Sequence, residues 1–128
     1  TFVAGFMLSL TFFNISPEGL MLADARQLPL FRVDCVVTDP PYGRSASTLK
    51  STTKQLVQEV LAASYALLGV GQRICIALPI KVNRLGEVEH LSEEISGLVE
   101  SLGFHCLESH KVYIHRSLTR EIMVYEKT

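Results

Sequence analysis

The sequence predicts an α/β protein whose sheet begins with parallel strands and ends in an antiparallel hairpin. Continuous apolar runs at residues 33–38 and 74–78 are typical of strands buried in a parallel sheet. A segment of helical periodicity, residues 51–68, separates the two runs. Residues 104–115 and 118–126 alternate in hydrophobicity as paired strands do. Strands and helices that alternate and then give way to a hairpin indicate one α/β domain.

The composition is typical of one soluble globular domain. The chain has 128 residues, 48% of them apolar, and a formal net charge of −1. A nucleic-acid binder usually carries a basic surface, so this balance argues against an autonomous RNA-binding module, although a catalytic domain could hold RNA through another domain. The three cysteines lie far apart in apolar runs, so we expect buried thiols in a reducing compartment and no disulfide framework. They are Cys35, Cys75 and Cys106.

Residues 2–23 contain two apolar stretches. Residues 2–13 are too few to span a bilayer as a helix, and no basic residue precedes them as in a signal peptide, so we expect no membrane partner. They predict either a buried helix or an exposed cut end of a longer protein. Residues 20–23 predict a short strand with Asp24 at its end, where an aspartate also serves commonly as a turn or cap residue.

The residues Asp39, Pro40, Pro41, Tyr42 and Gly43 follow the first apolar run directly. Each proline fixes its own φ and restricts the residue before it, so the acid is held in extended backbone at the end of a strand. Ligands of open parallel sheets bind outside the carboxyl ends of the strands, so this position predicts a functional site. An ordinary proline-rich turn is the structural alternative. The polar residues 44–48 predict a loop over the site.

Two helices and their boundaries follow from local patterns. Thr52 with Gln55 fits a capping box at the start of the first helix, and Gly69 is expected to end it. Pro79 is expected to stop the strand that follows. In the second helix we expect Ser92 at the N-cap and Gly103 at the end. The expected buried faces are Leu56, Val60, Ala63 and Leu67 in the first helix, and Ile95, Leu98, Val99 and Leu102 in the second.

Three histidines lie five residues apart in the last third of the chain. A spacing of five in a strand places successive side chains on opposite faces, so His105, His110 and His115 do not predict a shared metal site. We expect no metal.

The Asp-Pro-Pro-Tyr sequence resembles the signature of S-adenosylmethionine-dependent amino-methyltransferases, which act on exocyclic amines of nucleic-acid bases. Three segments, residues 22–29, 37–45 and 115–120, resemble in this order one branch of that family. The branch is the tRNA guanosine N2-methyltransferases that act at position ten in archaea and eukaryotes. The resemblance implies a Rossmann-like methyltransferase sheet, mostly parallel with a C-terminal antiparallel hairpin.

The same resemblance implies that residues 1–128 form only the second half of a catalytic domain. The first strand of the family fold and its Gly-rich loop, which hold the methionine and ribose of the cofactor, have no counterpart in the sequence. The RNA-binding N-terminal domain of the family has none either. We therefore expect a partial domain that is inactive alone and reaches tRNA through a domain outside these residues.

The resemblance also implies roles for individual residues. Asp24 would bind the adenine amine of the cofactor, and the backbone N–H of Ala25 would meet the adenine ring. Asp39 and Pro40 would accept the two hydrogens of the target amine, Pro41 completes the motif, and Tyr42 would stack on the base. Asp39 is counted at the cofactor site as well. Candidate RNA or loop-anchoring contacts are Arg44, Arg116 and Arg120, with ordinary surface charge as the alternative.

The function implied is cytoplasmic, S-adenosylmethionine-dependent methylation of the N2 amine of a tRNA guanosine. A DNA adenine-N6 or cytosine-N4 methyltransferase shares the motif and stays as an alternative. A third alternative is a non-catalytic protein that keeps the fold and binds a partner subunit or a second copy. An exposed apolar surface around residues 2–13 would favour this third alternative.

Overall fold

The computed structural model describes residues 2–41, 52–82, 84–115 and 118–128. Helices and strands together form an α/β arrangement in this part of the chain. In chain order the elements are α1 (Phe2–Phe12), β1 (Val33–Thr38), α2 (Thr53–Leu67), β2 (Leu68–Val82), β3 (Val88–His90), α3 (Leu91–Glu94), α4 (Ser96–Leu102), β4 (Phe104–His115) and β5 (Leu118–Lys127).

The strands form one five-stranded sheet in the order β1-β2-β5-β4, with β3 paired to β2 off this path. Strand β1 is parallel to β2, whereas β3 and β5 are antiparallel to β2 and β4 is antiparallel to β5. The expected α/β fold with a C-terminal hairpin is confirmed. The sheet of this chain is mixed, because its parallel part consists of the β1–β2 pair.

The hydrophobic core lies between one face of the sheet and the helices α2, α3 and α4. Side chains alternate along a strand, so β2 turns Ile74, Ile76 and Leu78 toward the helices and Cys75 and Ala77 toward the opposite face. The remaining core residues are Val57, Leu61, Leu68, Leu91, Ile95, Val99, Phe104, Met123 and Tyr125.

Helix α2 begins where the sequence predicts. Thr52 is its N-cap, and the side chain accepts a hydrogen bond from the Gln55 amide at 3.1 Å. Of the predicted apolar stripe, Val60 and Leu67 are buried, whereas Leu56 and Ala63 are only half-buried. The buried face is rotated slightly, because Val57 and Leu61 meet the sheet instead.

Strand β2 is longer at both ends than predicted. The chain enters it at Leu68, so Gly69 lies in the strand, where the register with β1 shifts, and does not end the helix. Pro79 does not stop the strand, which runs on to Val82. Strand β1 ends opposite Ile76 and does not reach Pro79. The missing N–H of Pro79 therefore costs no hydrogen bond to β1, and the strand tolerates the proline.

The predicted second helix is divided into α3 and α4 at Ile95. His90 is the N-cap of α3, so the prediction of Ser92 as the cap is wrong. The hydroxyl of Ser92 is buried and donates to a carboxylate on β5 instead. Ile95 and Val99 are buried as expected, and Gly103 ends α4 in the left-handed conformation with φ of 102°.

Helix α1 has the extent that the sequence predicts. Asn14 has φ of 55°, and the Ile15 amide donates to the Leu10 carbonyl at 2.8 Å, which completes a Schellman motif. The helix is not buried where its side chains are described: Leu8 is 72% exposed and Phe12 is 81% exposed. Within the described ranges, no helix combines the length and the apolar character needed to cross a membrane.

The predicted strand at residues 20–23 does not form, and Leu22 is 88% exposed. A strand needs a neighbouring strand for its backbone hydrogen bonds, and among the described residues the sheet ends at β1, which pairs there with β2 alone. The prediction that β1 is buried is wrong for the same reason, since Val37 on this edge strand is 78% exposed. Cys35 and Cys106 are also exposed, contrary to expectation, and all three cysteines are free.

Candidate functional site

Asp39, Pro40 and Pro41 lie directly after β1, at its carboxyl end, as the sequence predicts. The Asp39 side chain is 57% exposed, Pro40 is buried, and Pro41 is exposed. The rigid proline pair therefore anchors an accessible carboxylate. The expected roles of Tyr42 and Arg44 fall on residues outside those that the structure describes.

The Asp39 carboxylate has a cationic partner on β5. Nη1 of Arg120 donates to Oδ1 of Asp39, across 81 positions of sequence. The Arg120 side chain is only 20% exposed and lies on the β2–β5 ladder opposite Pro79. Of the predicted arginine contacts, Arg116 falls outside the described residues, and Arg120 meets an acid of the motif.

A cavity of about 510 Å³ adjoins this ion pair on the face of the sheet opposite to α2, α3 and α4. Such a volume lies within the range of small-molecule sites, roughly 300–1,000 Å³. Most of its lining side chains are apolar, and the charged pair belongs to the lining as well. The lining residues are Val37, Thr38, Asp39, Cys75, Ala77, Val112, Ile114, Arg120 and Ile122.

Asp24 lies in a turn and is bound closely by Arg26. Its Oδ1 accepts from the amide and from Nε of Arg26, each at 2.9 Å, and its Oδ2 accepts from Nη2 at 2.6 Å. These side-chain and backbone hydrogen bonds lower the pKa of Asp24 to about 2 and raise the pKa of Arg26. Arg26 also reaches Glu59 on α2, with 3.5 Å between Nη1 and Oε2.

A second cavity, of about 550 Å³, adjoins Asp24 and is lined also by Arg26, Gln27, Glu59, Ala62 and Ala63. Ala25 is exposed beside it in the same turn. Asp24 and Asp39 therefore line two different cavities, and this chain does not bring the two predicted acids together in one of them.

A buried carboxylate that sequence reasoning missed lies on the helix side of the hairpin. Glu121 accepts hydrogen bonds from Ser92 and Ser109 at 2.7 Å each, and its Oε2 lies 2.9 Å from Nδ1 of His90. Burial raises the pKa of Glu121, but the hydrogen bonds from Ser109, His90 and Ser92 outweigh it, so the pKa lies below its ordinary value. The sequence signal was the alternation of strand side chains, which places Glu121 on the same face of β5 as the buried Met123 and Tyr125.

The described histidines, cysteines and acids form no group of three or more that could hold a metal ion. His110, one of the evenly spaced histidines, instead pairs with Glu108 two residues away, at 2.9 Å.

Three features together indicate a Rossmann-like methyltransferase fold. They are a parallel strand pair joined by a helix, an Asp-Pro-Pro turn at the carboxyl end of the first strand, and an antiparallel hairpin added to the second strand. Solved structures agree with this class. TrmN from Thermus thermophilus superposes with a TM-score of 0.64 at 22% identity, over 94% of this chain and 32% of its own. A putative DNA modification methylase, also from Thermus thermophilus and complexed with S-adenosyl-L-methionine, superposes with a TM-score of 0.58 at 24% identity, over 83% and 54%.

Residues 18–86 match the family UPF0020, described as the RMKL-like methyltransferase domain, and the chain belongs to this family. A tRNA (guanine(10)-N2)-dimethyltransferase from Methanothermobacter thermautotrophicus is 36% identical over 126 residues, which cover 98% of this chain and 34% of the relative. A probable enzyme of the same name from Methanothermococcus thermolithotrophicus is 29% identical, over 98% of this chain and 69% of the relative. The chain thus spans about a third of the length of the first relative.

Proposed function

We propose that the protein to which this chain belongs transfers a methyl group from S-adenosyl-L-methionine to the exocyclic N2 amine of a guanosine in tRNA. The observation that carries the proposal is the accessible Asp39 carboxylate on a proline-fixed turn at the end of β1, beside a cavity of about 510 Å³. The names of the two archaeal relatives support guanosine ten of tRNA as the target.

The chemistry required of the chain is to make a poor nucleophile reactive. The lone pair of a guanine N2 amine is delocalised into the ring, so the amine must become pyramidal as the methyl group arrives. The Asp39 carboxylate and the Pro40 carbonyl would accept the two amine hydrogens, which aligns the lone pair and stabilises the positive charge that develops on nitrogen. The stacking role proposed for Tyr42 lies outside the described residues.

The turn at Asp24 fits the adenine end of the cofactor. Three N–H groups of Arg26 bond to the Asp24 carboxylate, and an ionised carboxylate has about four acceptor sites, so one site is left for an adenine amine. Ala62 and Ala63 give the adjoining cavity an apolar wall, and the amide of Ala25 lies in the same turn. S-adenosyl-L-methionine supplies the electrophilic methyl group when it is bound.

We further propose that residues 1–128 supply the second half of the catalytic domain. Asp24 and Asp39 line separate cavities in this chain, so further groups are needed to connect the adenine end to the target amine. The net charge of −1 supports a second domain as the main contact with tRNA. This activity would take place in the cytoplasm, with the tRNA.

The test is methyl transfer from radiolabelled S-adenosyl-L-methionine by the full-length protein. The acceptors are a tRNA transcript, a matched transcript with inosine at position ten, which lacks only the N2 amine, and a DNA duplex. We expect transfer to the guanosine transcript alone. Asp39→Asn should reduce it about 100-fold or more, whereas Asp34→Asn, an exposed acid of the same strand, should not. Equal transfer by Asp39→Asn would refute the catalytic role, and transfer to DNA would favour the DNA methyltransferase alternative.

One observation favours the non-catalytic alternative. Leu8, Phe12 and Phe13 are 72%, 81% and 68% exposed, which gives the N-terminal helix an apolar surface of the kind that binds proteins. If the full-length protein transfers no methyl group but co-purifies stoichiometrically with another subunit, and Phe12→Ser abolishes that association, this alternative replaces the enzyme proposal.

A further inference from the structure

We propose that Arg120 is the positioning residue of Asp39: its guanidinium fixes the carboxylate in the orientation that accepts the target amine. The proposal rests on the proposed function. It assigns to Arg120 a role in the methyl-transfer step, in place of the RNA or loop-anchoring contact that the sequence predicts.

The sheet brings the two residues together. Strand order β1-β2-β5 places β5 two strands from β1, a separation of about 10 Å. Strand β1 ends opposite Ile76, and Arg120 pairs with Pro79 further along β2. The Arg120 side chain therefore passes across the end of the parallel pair, and its Nη1 reaches Oδ1 of Asp39.

The surroundings of Arg120 suit an orienting role. Its side chain is 20% exposed, and Val112, Ile122 and Ala77 line the same cavity. Apolar neighbours reduce the screening of the ion pair by water and limit the positions that the guanidinium can adopt. Arginine keeps its charge at all relevant pH values and directs its N–H donors from a rigid plane, so it fixes the direction of an acceptor as well as its charge.

The contact leaves Asp39 able to act. A carboxylate offers about four acceptor sites, so one N–H donor from arginine and one from an amine can be accommodated together. The arginine then orders the carboxylate before the base arrives, and the amine finds its acceptor already in place. Such preorganisation affects the rate of the chemical step more than the affinity for tRNA.

Steady-state kinetics of the full-length protein separate this role from an RNA contact. We expect Arg120→Ala to lower kcat about tenfold or more while KM for tRNA changes by less than about twofold. Arg120→Lys should recover part of the loss, and added guanidinium ion should raise kcat of Arg120→Ala but not of wild type. The control is Lys111→Ala, which removes an exposed cation from the neighbouring strand β4.

A double-mutant cycle tests whether the effect passes through Asp39. The variant with both Asp39→Asn and Arg120→Ala should be no slower than Asp39→Asn alone. A further loss of the full size seen in the wild-type background would overturn the proposal. A raised KM for tRNA with unchanged kcat would do the same and would identify Arg120 as a phosphate contact.

A second measurement needs no activity. Residues 1–128 contain three aspartates, Asp24, Asp34 and Asp39. In full-length protein labelled with ¹³C at the aspartate carboxyls, an Asn substitution of each of the three assigns its resonance. Arg120→Ala should shift the Asp39 resonance and leave the resonances of Asp24 and Asp34 in place. An unmoved Asp39 resonance overturns the inference even where methyl transfer is intact. Absence of transfer by wild type, with the Asp39 resonance responsive to Arg120, overturns the proposed function instead.

Discussion

The hydroxyl of Ser92 lies 2.7 Å from Oε2 of Glu121, which fastens the start of α3 to strand β5. The same oxygen lies 2.9 Å from Nδ1 of His90, and Oε1 accepts from Ser109 on β4 at 2.7 Å. One carboxylate that is only 7% exposed thus joins β3, α3 and the terminal hairpin. The hairpin also carries Arg120, so this junction holds the strand that supplies one residue of the candidate site.

Removing the carboxylate should destabilise the protein. Glu121→Ala leaves the buried Ser92 hydroxyl, the Ser109 hydroxyl and the His90 imidazole without their acceptor, and we expect a loss of about 1–3 kcal/mol in the free energy of unfolding. Urea unfolding followed by circular dichroism measures it. The control is Glu108→Ala, which removes an exposed partner of His110 and should cost about 0–1 kcal/mol. Equal losses in the two variants would contradict a structural role for the buried network.

The same carboxylate predicts a pH dependence of stability. The pKa of Glu121 lies below the ordinary glutamate value, so at acid pH the unfolded chain binds this proton more readily than the folded chain. The contribution is complete above about pH 4.5 and is lost as the pH falls through the lower, folded pKa. Glu121→Gln cannot titrate, so its stability difference from wild type should shrink between about pH 6 and about pH 3. A difference that stays constant over this range would show that Glu121 does not couple protonation to folding.

Gly103, the C-cap of α4, should tolerate a side chain less well than Gly97 within the helix. It ends the helix with φ of 102°, and a Cβ there would lie 2.6 Å from the hydroxyl oxygen of Tyr65. We expect Gly103→Ala to cost about 1–3 kcal/mol because of backbone strain and this contact. The matched control is Gly97→Ala in the same helix, where a new Cβ meets nothing within 4 Å. It should stabilise by about 0.5–1 kcal/mol. A similar change in the unfolding midpoint for both variants would contradict the prediction.

Features set by neighbours in sequence were predictable. The cap of α2 at Thr52, the end of α4 at Gly103 and the antiparallel hairpin all depend on contacts within a few residues or on simple alternation. The position of Asp39 at the end of a strand followed from an apolar run and two prolines. These signals are local, so one sequence is enough to show them.

Features set by distant partners were not predictable. The strand expected at residues 20–23 had suitable residues, but strand formation depends on a neighbouring strand that pattern alone does not supply. The burial of β1 was overestimated because an apolar run does not distinguish a central strand from an edge. The contact between Asp39 and Arg120 follows from the order of the strands, which only the sheet shows.

The last prediction concerns Asp24 and the cofactor. Binding of S-adenosyl-L-methionine to the full-length protein, measured by calorimetry, should weaken about tenfold in Asp24→Asn, because a charged acceptor is replaced by a neutral amide. The matched control is Asp34→Asn on β1, which should bind as wild type does. Wild-type affinity in Asp24→Asn would show that Asp24 stabilises the turn and does not bind the cofactor.

The pH dependence of cofactor binding in an Arg26 variant tests the same role of Asp24. Its hydrogen bonds hold the pKa of Asp24 at about 2, so in wild type the carboxylate stays ionised and its contribution to binding should not change between neutral pH and about pH 4. Arg26→Gln removes the side-chain bonds but keeps the bond from the backbone amide, so the pKa should rise toward the ordinary value of 3.8. Cofactor affinity in that variant should therefore fall as the pH approaches about 4, because a growing fraction of Asp24 is protonated and can no longer accept with both oxygens. If wild type and Arg26→Gln lose affinity in parallel, a group other than Asp24 governs the acid limb of cofactor binding.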